Sequence, residues 1–196
     1  MAKIKTKAPK NKLGTLTTPI GSALFVSCPN ASTFDDSKQE ASIVLTPEDY
    51  AIFKADLDEL IDACPEELVV AKDKMAMPIK PELDSDKNPT GNYIVRAKTS
   101  MVYKAKLYNA DKTEFKPDAG FQVANRSKIR LAIAVEVMAT SMHKGLVFRL
   151  NALQMISASP WANQNPFDAV EGGDFAYDGS TPQVDDSDDD DDSWVD

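Results

Sequence analysis

Residues 129–153 read IRLAIAVEVMATSMHKGLVFRLNAL, and the predicted architecture follows from the pattern of this segment. From residue 129 to 137 an apolar side chain stands at every second position, which predicts a long, half-buried β-strand. Residues 141–145 are predicted to turn, and a second strand follows and continues to residue 156. Its expected inward-facing side chains are Leu146, Phe148, Leu150 and Ala152. Two such strands joined by a turn indicate a domain built mainly of β-structure.

Further strands are predicted on the N-terminal side of this hairpin. Residues 20–26 and 42–45 are short apolar runs, whereas residues 93–99 and 101–108 alternate between apolar and polar side chains. In the last of these segments, parity places Tyr103 on the apolar face and Tyr108 on the opposite face with Lys104 and Lys106. Residues 109–112 are predicted to turn.

One helix is predicted between the strands. Thr46 can cap it, Pro47 suits its first position, and Asp49 can close a capping box with Thr46. The helix should run over residues 47–63, stop before Pro65 and turn its apolar stripe towards the core. Residues 65–92 contain four prolines and are predicted to form a long irregular connection, with a short helix at 66–74. About five strands and one capped helix predict a small curled barrel or sandwich.

Charge divides the chain into four parts. Residues 1–19 form a basic N-terminal arm, 20–156 the domain, 157–184 a flexible linker rich in proline and glycine, and 185–196 an acidic tail, DDSDDDDDSWVD. Residues 171–196 hold 11 acidic and no basic residues, so residues 1–170 carry a net charge of +2. The tail is too charged to fold alone, and Trp194 within it favours a role in docking.

Several classes of protein are excluded by what the sequence lacks. No apolar leader and no apolar run of about 20 residues occur, so we expect a cytoplasmic protein without a membrane span. Cys28 and Cys64 are far apart, which favours reduced thiols. His143 is the sole histidine, and phosphate-binding glycine motifs are missing. We therefore expect neither an enzyme nor a cofactor or metal site.

Residues 93–130 carry nine basic and three acidic residues, interleaved with aromatic rings. Single-stranded nucleic acid needs this mixture, because cations follow its phosphates and rings stack on its bases. The alternative is an ordinary solvated strand face with core rings. The candidate DNA-binding residues are Tyr93, Arg96, Lys98, Lys104, Lys106, Tyr108, Phe121, Arg126, Lys128 and Arg130.

If the basic residues of segment 93–130 line a groove, the acidic tail of the same chain can compete with nucleic acid for that groove. Its aspartates can imitate the phosphates of a nucleic acid, and a 28-residue flexible linker spans roughly 30 Å, which is enough to reach the domain. The residues expected to act in the tail, on the groove or on a partner, are Asp188, Asp189, Asp190, Asp191, Asp192 and Trp194.

The order of these features resembles the single-stranded DNA-binding proteins of T7-type and related tailed bacteriophages. The resemblance rests on the short first strand, the helix opening at Thr46, the proline-rich residues 77–81, the strand at 91–98, the closing hairpin and the tail. It implies an OB-fold-like five-stranded barrel with one capped helix and a disordered acidic tail. It departs at the very end of the chain, where Val195 and Asp196 follow Trp194 although those tails typically finish on an aromatic residue.

The resemblance also implies a function. Such a protein coats single-stranded DNA without sequence specificity in phage replication, recombination and repair, in the cytoplasm of the infected bacterium. The tail would compete with DNA and recruit the phage DNA polymerase and helicase-primase. The sequence leaves open whether the protein forms a homodimer. It also leaves two other interpretations open: an acidic-tailed chaperone that shields a basic partner, and an RNA-binding OB protein.

Overall fold

The computed structural model describes residues 12–63, 76–117, 121–139 and 144–159. They form one helix, α1 (Pro47–Asp62), and nine strands. The strands are β1 (Lys12–Thr17), β2 (Gly21–Leu24), β3 (Lys38–Leu45), β4 (Ile79–Leu83), β5 (Pro89–Ser100), β6 (Lys106–Tyr108), β7 (Glu114–Phe115), β8 (Lys128–Ala139) and β9 (Lys144–Ser157). The predicted linker from residue 160 onwards, the acidic tail and the helix at 66–74 lie outside the described residues.

Five of the strands close into a ring. Their order is β2, β3, β5, β9, β8 and back to β2, and every neighbouring pair is antiparallel except β5 and β9, which are parallel. This is the strand order of an OB-type Greek-key barrel. The predicted fold class, a five-stranded OB-like barrel with one capped helix, is confirmed. β1, β4, β6 and β7 are attached to the outside of this ring.

The hairpin of β8 and β9 supplies much of the core. Ile129, Leu131, Ile133 and Val135 are fully buried, as the alternation predicts. On β9 the prediction fails after Leu150, because the register shifts opposite Ala132 and Ile133. Asn151 is the extra residue of this β-bulge, so Leu153 points inward and Ala152 lies on the outer face.

Helix α1 begins at the predicted residue and with the predicted cap, but the predicted capping box differs: the Asp49 carboxylate accepts from the Thr46 hydroxyl at 3.1 Å, not from the Thr46 backbone N–H. The backbone N–H of Asp49 donates to the Oγ1 of Thr46 at 3.2 Å, and Pro47 occupies the first turn. Phe53, Leu57 and Ile61 are buried, and the ring of Phe53 meets that of Phe148 edge to face at 6.0 Å between centroids. The helix ends at Asp62, one residue before the predicted end, and its apolar stripe faces the core. No helix in the described part of the chain could cross a membrane.

Three segments differ from prediction. The connection predicted to be irregular at 65–92 contains β4 and the start of β5, which pair as a hairpin; β4 tolerates proline because it pairs with β5 alone and is an edge strand. The strand predicted at 101–108 is a turn as far as Lys104, followed by the three-residue β6. The predicted N-terminal arm overlaps β1, where residues 12–17 pair with β8; residues 1–11 lie outside the described part of the chain.

Candidate nucleic-acid interface

A groove of about 630 Å³ lies between the outer face of β3 and β5 and the loop at residues 25–37, which joins β2 to β3. Its floor is formed by side chains that point away from the barrel core, since Ile43, Val95 and Ala97 between them are fully buried. In OB-folds this face and this loop bind oligonucleotides. The geometry therefore makes the groove the first candidate site.

Two aromatic rings stand in the groove with most of their surface in solvent. Phe25 is 74% exposed and Phe34 is 92% exposed. Phe25 adopts a φ of 50°, in the left-handed region that bulky residues avoid, and its N–H donates to the Oδ1 of Asn125 at 2.8 Å. The N–H of Phe34 donates to the Oγ of Ser32 at 3.3 Å. A strained, hydrogen-bonded backbone that presents an apolar ring to water indicates a binding role.

The loop that carries these rings is fixed to the barrel at several points. Cys28 is buried, and burial raises the pKa of its thiol to about 12. The side-chain amide of Asn30 donates to the carbonyl of Phe121 at 3.1 Å, and that of the buried Gln39 donates to the carbonyl of Pro29. These bonds position Phe25 and Phe34 relative to the floor.

Arg96 and Lys98 lie on the outer face of β5 and line the groove. Both pair with Glu40 of β3, whose side chain is only 10% exposed; the Lys98 Nζ lies 2.9 Å from its Oε1. Burial alone would raise the pKa of Glu40, but the hydrogen bonds from Arg96 and Lys98 outweigh it and hold that pKa below its ordinary value. The carboxylate thus keeps both cations on the groove face while cancelling part of their charge.

A row of aligned residues extends the basic surface across the sheet. The strand registers place Lys128 of β8 beside Ser22, Ser22 beside Val44, Val44 beside Ile94, and Ile94 beside Lys80 of β4. At about 4.8 Å per strand, the row spans about 19 Å. The Nζ of Lys128 donates to the Oγ of Ser22 at 3.2 Å. Arg126 is exposed on the adjoining turn, where its N–H donates to the carbonyl of Ala23.

Two predicted stacking residues lie against other rings. Tyr93 is on the opposite face of β5 from Arg96 and stacks on Tyr50 of α1, with 3.8 Å between centroids and 18° between planes. Phe121 is half-buried and meets Phe115 edge to face at 5.6 Å. Each ring already has an aromatic partner, so neither resembles the exposed rings of Phe25 and Phe34.

Other predicted residues are placed away from the groove. Tyr108 and Arg130 line a second, smaller cleft. Lys106 lines neither cavity and pairs with Glu114 at 2.8 Å. Lys104 is exposed in the turn before β6. The structure therefore divides the predicted set: Arg96, Lys98, Arg126 and Lys128 belong to the surface around the groove, and the remainder do not.

Tyr103 was expected in the core, and this expectation is wrong. The residue is 72% exposed. β5 ends at Ser100, whose carbonyl accepts from the Tyr103 N–H at 2.9 Å and whose Oγ accepts from the Val102 N–H at 3.2 Å. This turn breaks the two-residue alternation on which the expectation depended, so parity no longer tells which way Tyr103 points.

Sequence reasoning missed Phe25, Phe34 and Lys80. Phe25 was assigned to the strand predicted at residues 20–26, but this strand, β2, ends at Leu24. The signal for Phe34 was its setting: the ring stands among Ser32, Thr33, Asp35 and Asp36, without the apolar neighbours that a core residue has. Lys80 was hidden in the segment predicted to be irregular.

The tail residues Asp188–Asp192 and Trp194 lie outside the described residues. Within the described ranges, no cluster of three or more metal-ligating side chains occurs.

No protein-family model and no curated protein sequence matches this chain. Several solved structures are similar to this chain. The single-stranded DNA-binding protein from bacteriophage Enc34 in complex with ssDNA matches with a TM-score of 0.60 at 15% identity, covering 79% of this chain and 94% of that one. A C-terminal truncation of the same protein matches at 14% identity with the same TM-score and coverage. The single-stranded DNA-binding protein encoded by bacteriophage T7 matches with a TM-score of 0.55 at 12% identity, covering 85% of this chain and 100% of that one. This chain shares the fold of these phage proteins.

Proposed function

We propose that this chain is a non-enzymatic protein that binds single-stranded DNA without sequence specificity in the groove between β3, β5 and the loop at 25–37. The observation that carries the proposal is the pair of exposed rings, Phe25 and Phe34, facing a floor that bears Lys80, Arg96 and Lys98. Two structurally similar phage proteins are described as single-stranded DNA-binding proteins, and one of them is in complex with ssDNA. Their shared fold supports the proposal.

The groove offers the two contacts that single strands need. The cations neutralise phosphates, and the rings stack on bases, to which every base presents a flat face. Each stacked base contributes about 1–3 kcal/mol, so two rings contribute enough to control the affinity. Because neither contact reads the edge of a base, we expect similar affinity for different sequences.

The test is the double substitution Phe25→Ala with Phe34→Ala, measured by fluorescence anisotropy with labelled oligo-dT. We expect the affinity to fall by at least about thirty-fold, since two stacking contacts are lost, while the salt dependence stays unchanged because no cation is removed. The matched control is Ile52→Ala, which removes an exposed apolar side chain from α1, outside the groove. Equal affinities of the wild type and the double variant would refute the proposed site.

The acidic tail belongs to the same proposal as a competitor for the groove. Charge complementarity supports this, because 11 acidic residues follow residue 170 and the groove carries Lys80, Arg96 and Lys98. Truncation after Val184 should raise the affinity for oligo-dT and steepen its salt dependence. An acidic-tailed chaperone would instead have no DNA affinity to gain, and its affinity for polycations would vanish with the tail. Competition between oligo-dT and oligo-U separates the DNA-binding from the RNA-binding function.

On the resemblance to phage proteins we extend the proposal to the biological role. The protein would coat single-stranded DNA during phage replication, recombination and repair in the infected cell. The tail, with Trp194, would recruit the phage DNA polymerase and helicase-primase. Pull-down of these enzymes by the full chain and by a Trp194→Ala variant tests the recruitment, because loss of capture is expected only if the ring docks.

A further inference from the structure

A second cleft, of about 230 Å³, lies on the outer face of β1, β8, β9 and β6. The strand registers place Thr17 beside Ala132, and Ala132 beside Ala152, so three small side chains form its floor. Tyr108 and Arg130 stand on either side of Gln154 in the next row. The bulge at Asn151 is what turns Ala152, rather than Leu153, to this face. The cleft therefore has a shallow floor between a ring and a guanidinium group.

The two cations that line this cleft, Lys112 and Arg130, differ in their pairing from those of the groove. Arg130 is half-buried and its Nε donates to the carbonyl of Thr18 at 3.2 Å, but no carboxylate of the described residues pairs with it or with Lys112. Lys112 has a φ of 71° in the turn between β6 and β7. By contrast, Lys106 is paired with Glu114, and Arg96 and Lys98 share Glu40. Two unpaired cations beside a ring suit a nucleotide, with its phosphate and its base.

The row that begins at Lys80 in the groove leads towards the cleft along β8. Lys128, at the far end of that row, and Arg130, which lines the cleft, are two residues apart on the same face of β8, so about 7 Å separates their Cα atoms. From Arg130 across Gln154 to Tyr108 is a further 10 Å or so. The basic path from Lys80 to Tyr108 is thus about 36 Å long, against about 19 Å for the groove row alone.

The geometry points to a second subsite for single-stranded DNA, formed by Tyr108, Lys112 and Arg130, which takes a strand that leaves the groove past Lys128. This inference rests on the proposed function of the groove. At about 3.4 Å per stacked nucleotide, the groove row accommodates about six nucleotides and the whole path about eleven. An oligomer of about six nucleotides therefore fills the groove only, and one of about fifteen reaches the second subsite.

The test compares oligo-dT of these two lengths on the full chain, as wild type and as the double variant Lys112→Gln with Arg130→Gln. We expect the short oligomer to bind both proteins equally within about two-fold. The long oligomer should bind the variant more weakly, with a salt slope shallower by about 1.4, because two phosphate contacts to a single strand are lost. Tyr108→Ala should weaken the long oligomer alone, by about five-fold or more.

The control is Lys87→Gln, which removes an exposed lysine from the turn between β4 and β5, outside both sites. Unfolding temperatures verify that each variant is folded. A second measurement uses the wild type: long oligomers with 5-iodouracil at one end or the other should crosslink to Tyr108 in one of the two cases. Equal weakening for both lengths, unchanged binding of the long oligomer, or no crosslink from either end would overturn the second subsite. Failure of the short oligomer to bind the wild type would instead refute the groove itself.

Discussion

The substitution Glu40→Gln should strengthen DNA binding while it weakens the fold. Glu40 is largely buried on β3 and pairs with both Arg96 and Lys98 in the groove. Under the proposed function, the carboxylate would compete with DNA phosphates for these two cations and repel the phosphates directly. Glutamine has nearly the same shape and hydrogen-bonding reach, so the substitution removes the charge with little change in packing.

The magnitudes follow from the geometry. One negative charge at the edge of a solvated phosphate site opposes binding by about 1 kcal/mol, so the affinity should rise about five-fold. Releasing about one cation for a phosphate contact should steepen the salt slope by about 0.7. The free energy of unfolding should fall by about 1–2 kcal/mol, because hydrogen bonds to a charged group are lost but Arg96 and Lys98 are half-exposed.

Anisotropy titrations with oligo-dT at several salt concentrations measure the first two quantities, and urea unfolding measures the third. Asp58→Asn is the matched control, since it removes a carboxylate that pairs with Lys54 on α1, outside the groove. The reasoning is refuted if Glu40→Gln binds DNA no more tightly than Asp58→Asn does.

The stability difference between the wild type and Glu40→Gln should also depend on pH. The folded pKa of Glu40 lies below its unfolded value, so the carboxylate stabilises the fold fully above the unfolded pKa. That contribution is lost as the pH falls through the folded pKa. Urea unfolding of both proteins at neutral and acidic pH should therefore show a gap that narrows in acid.

Three further predictions concern the fold. Leu57→Ala removes a fully buried side chain and should lower the free energy of unfolding by about 2–5 kcal/mol in urea titrations; a loss below about 1 kcal/mol would contradict its core position. Thr46→Ala removes the helix cap and should cost about 1 kcal/mol in the same assay, whereas Thr46→Ser should be nearly neutral. Because the pKa of Cys28 is raised to about 12, mass spectrometry should find Cys28 unmodified by iodoacetamide at pH 8 until the protein is unfolded.

The barrel and its helix could be predicted because their signals are local. Alternation from Ile129 to Val137 follows from a strand with one buried face, and the Thr46 cap follows from the unpaired N–H groups at a helix start. The sequence accordingly predicted the inward-facing side chains of β8, and it predicted the bounds of α1 to within one residue.

What could not be predicted depends on long-range pairing. The bulge at Asn151 reverses the faces of β9, and no residue type marks it beforehand. Tyr103 left the predicted face because a turn stabilised by Ser100 interrupts the strand. The exposed positions of Phe25 and Phe34 follow from the anchoring of their loop to Asn125 and Phe121, about 90 residues or more away in sequence. Such contacts are visible only once the ring of strands has closed.

The parallel contact between β5 and β9 completes the ring through one aligned pair, Lys98 with Arg149. Closure thus brings two like charges together at the seam of the barrel. Each is held by a carboxylate on the strand at its other side: Lys98 by Glu40 on β3, and Arg149 by Glu136 on β8 at 2.8 Å. A polyanion lying across the seam would offset the same repulsion. Bound DNA should therefore stabilise the contact between β5 and β9 and slow amide hydrogen exchange in both strands beside it.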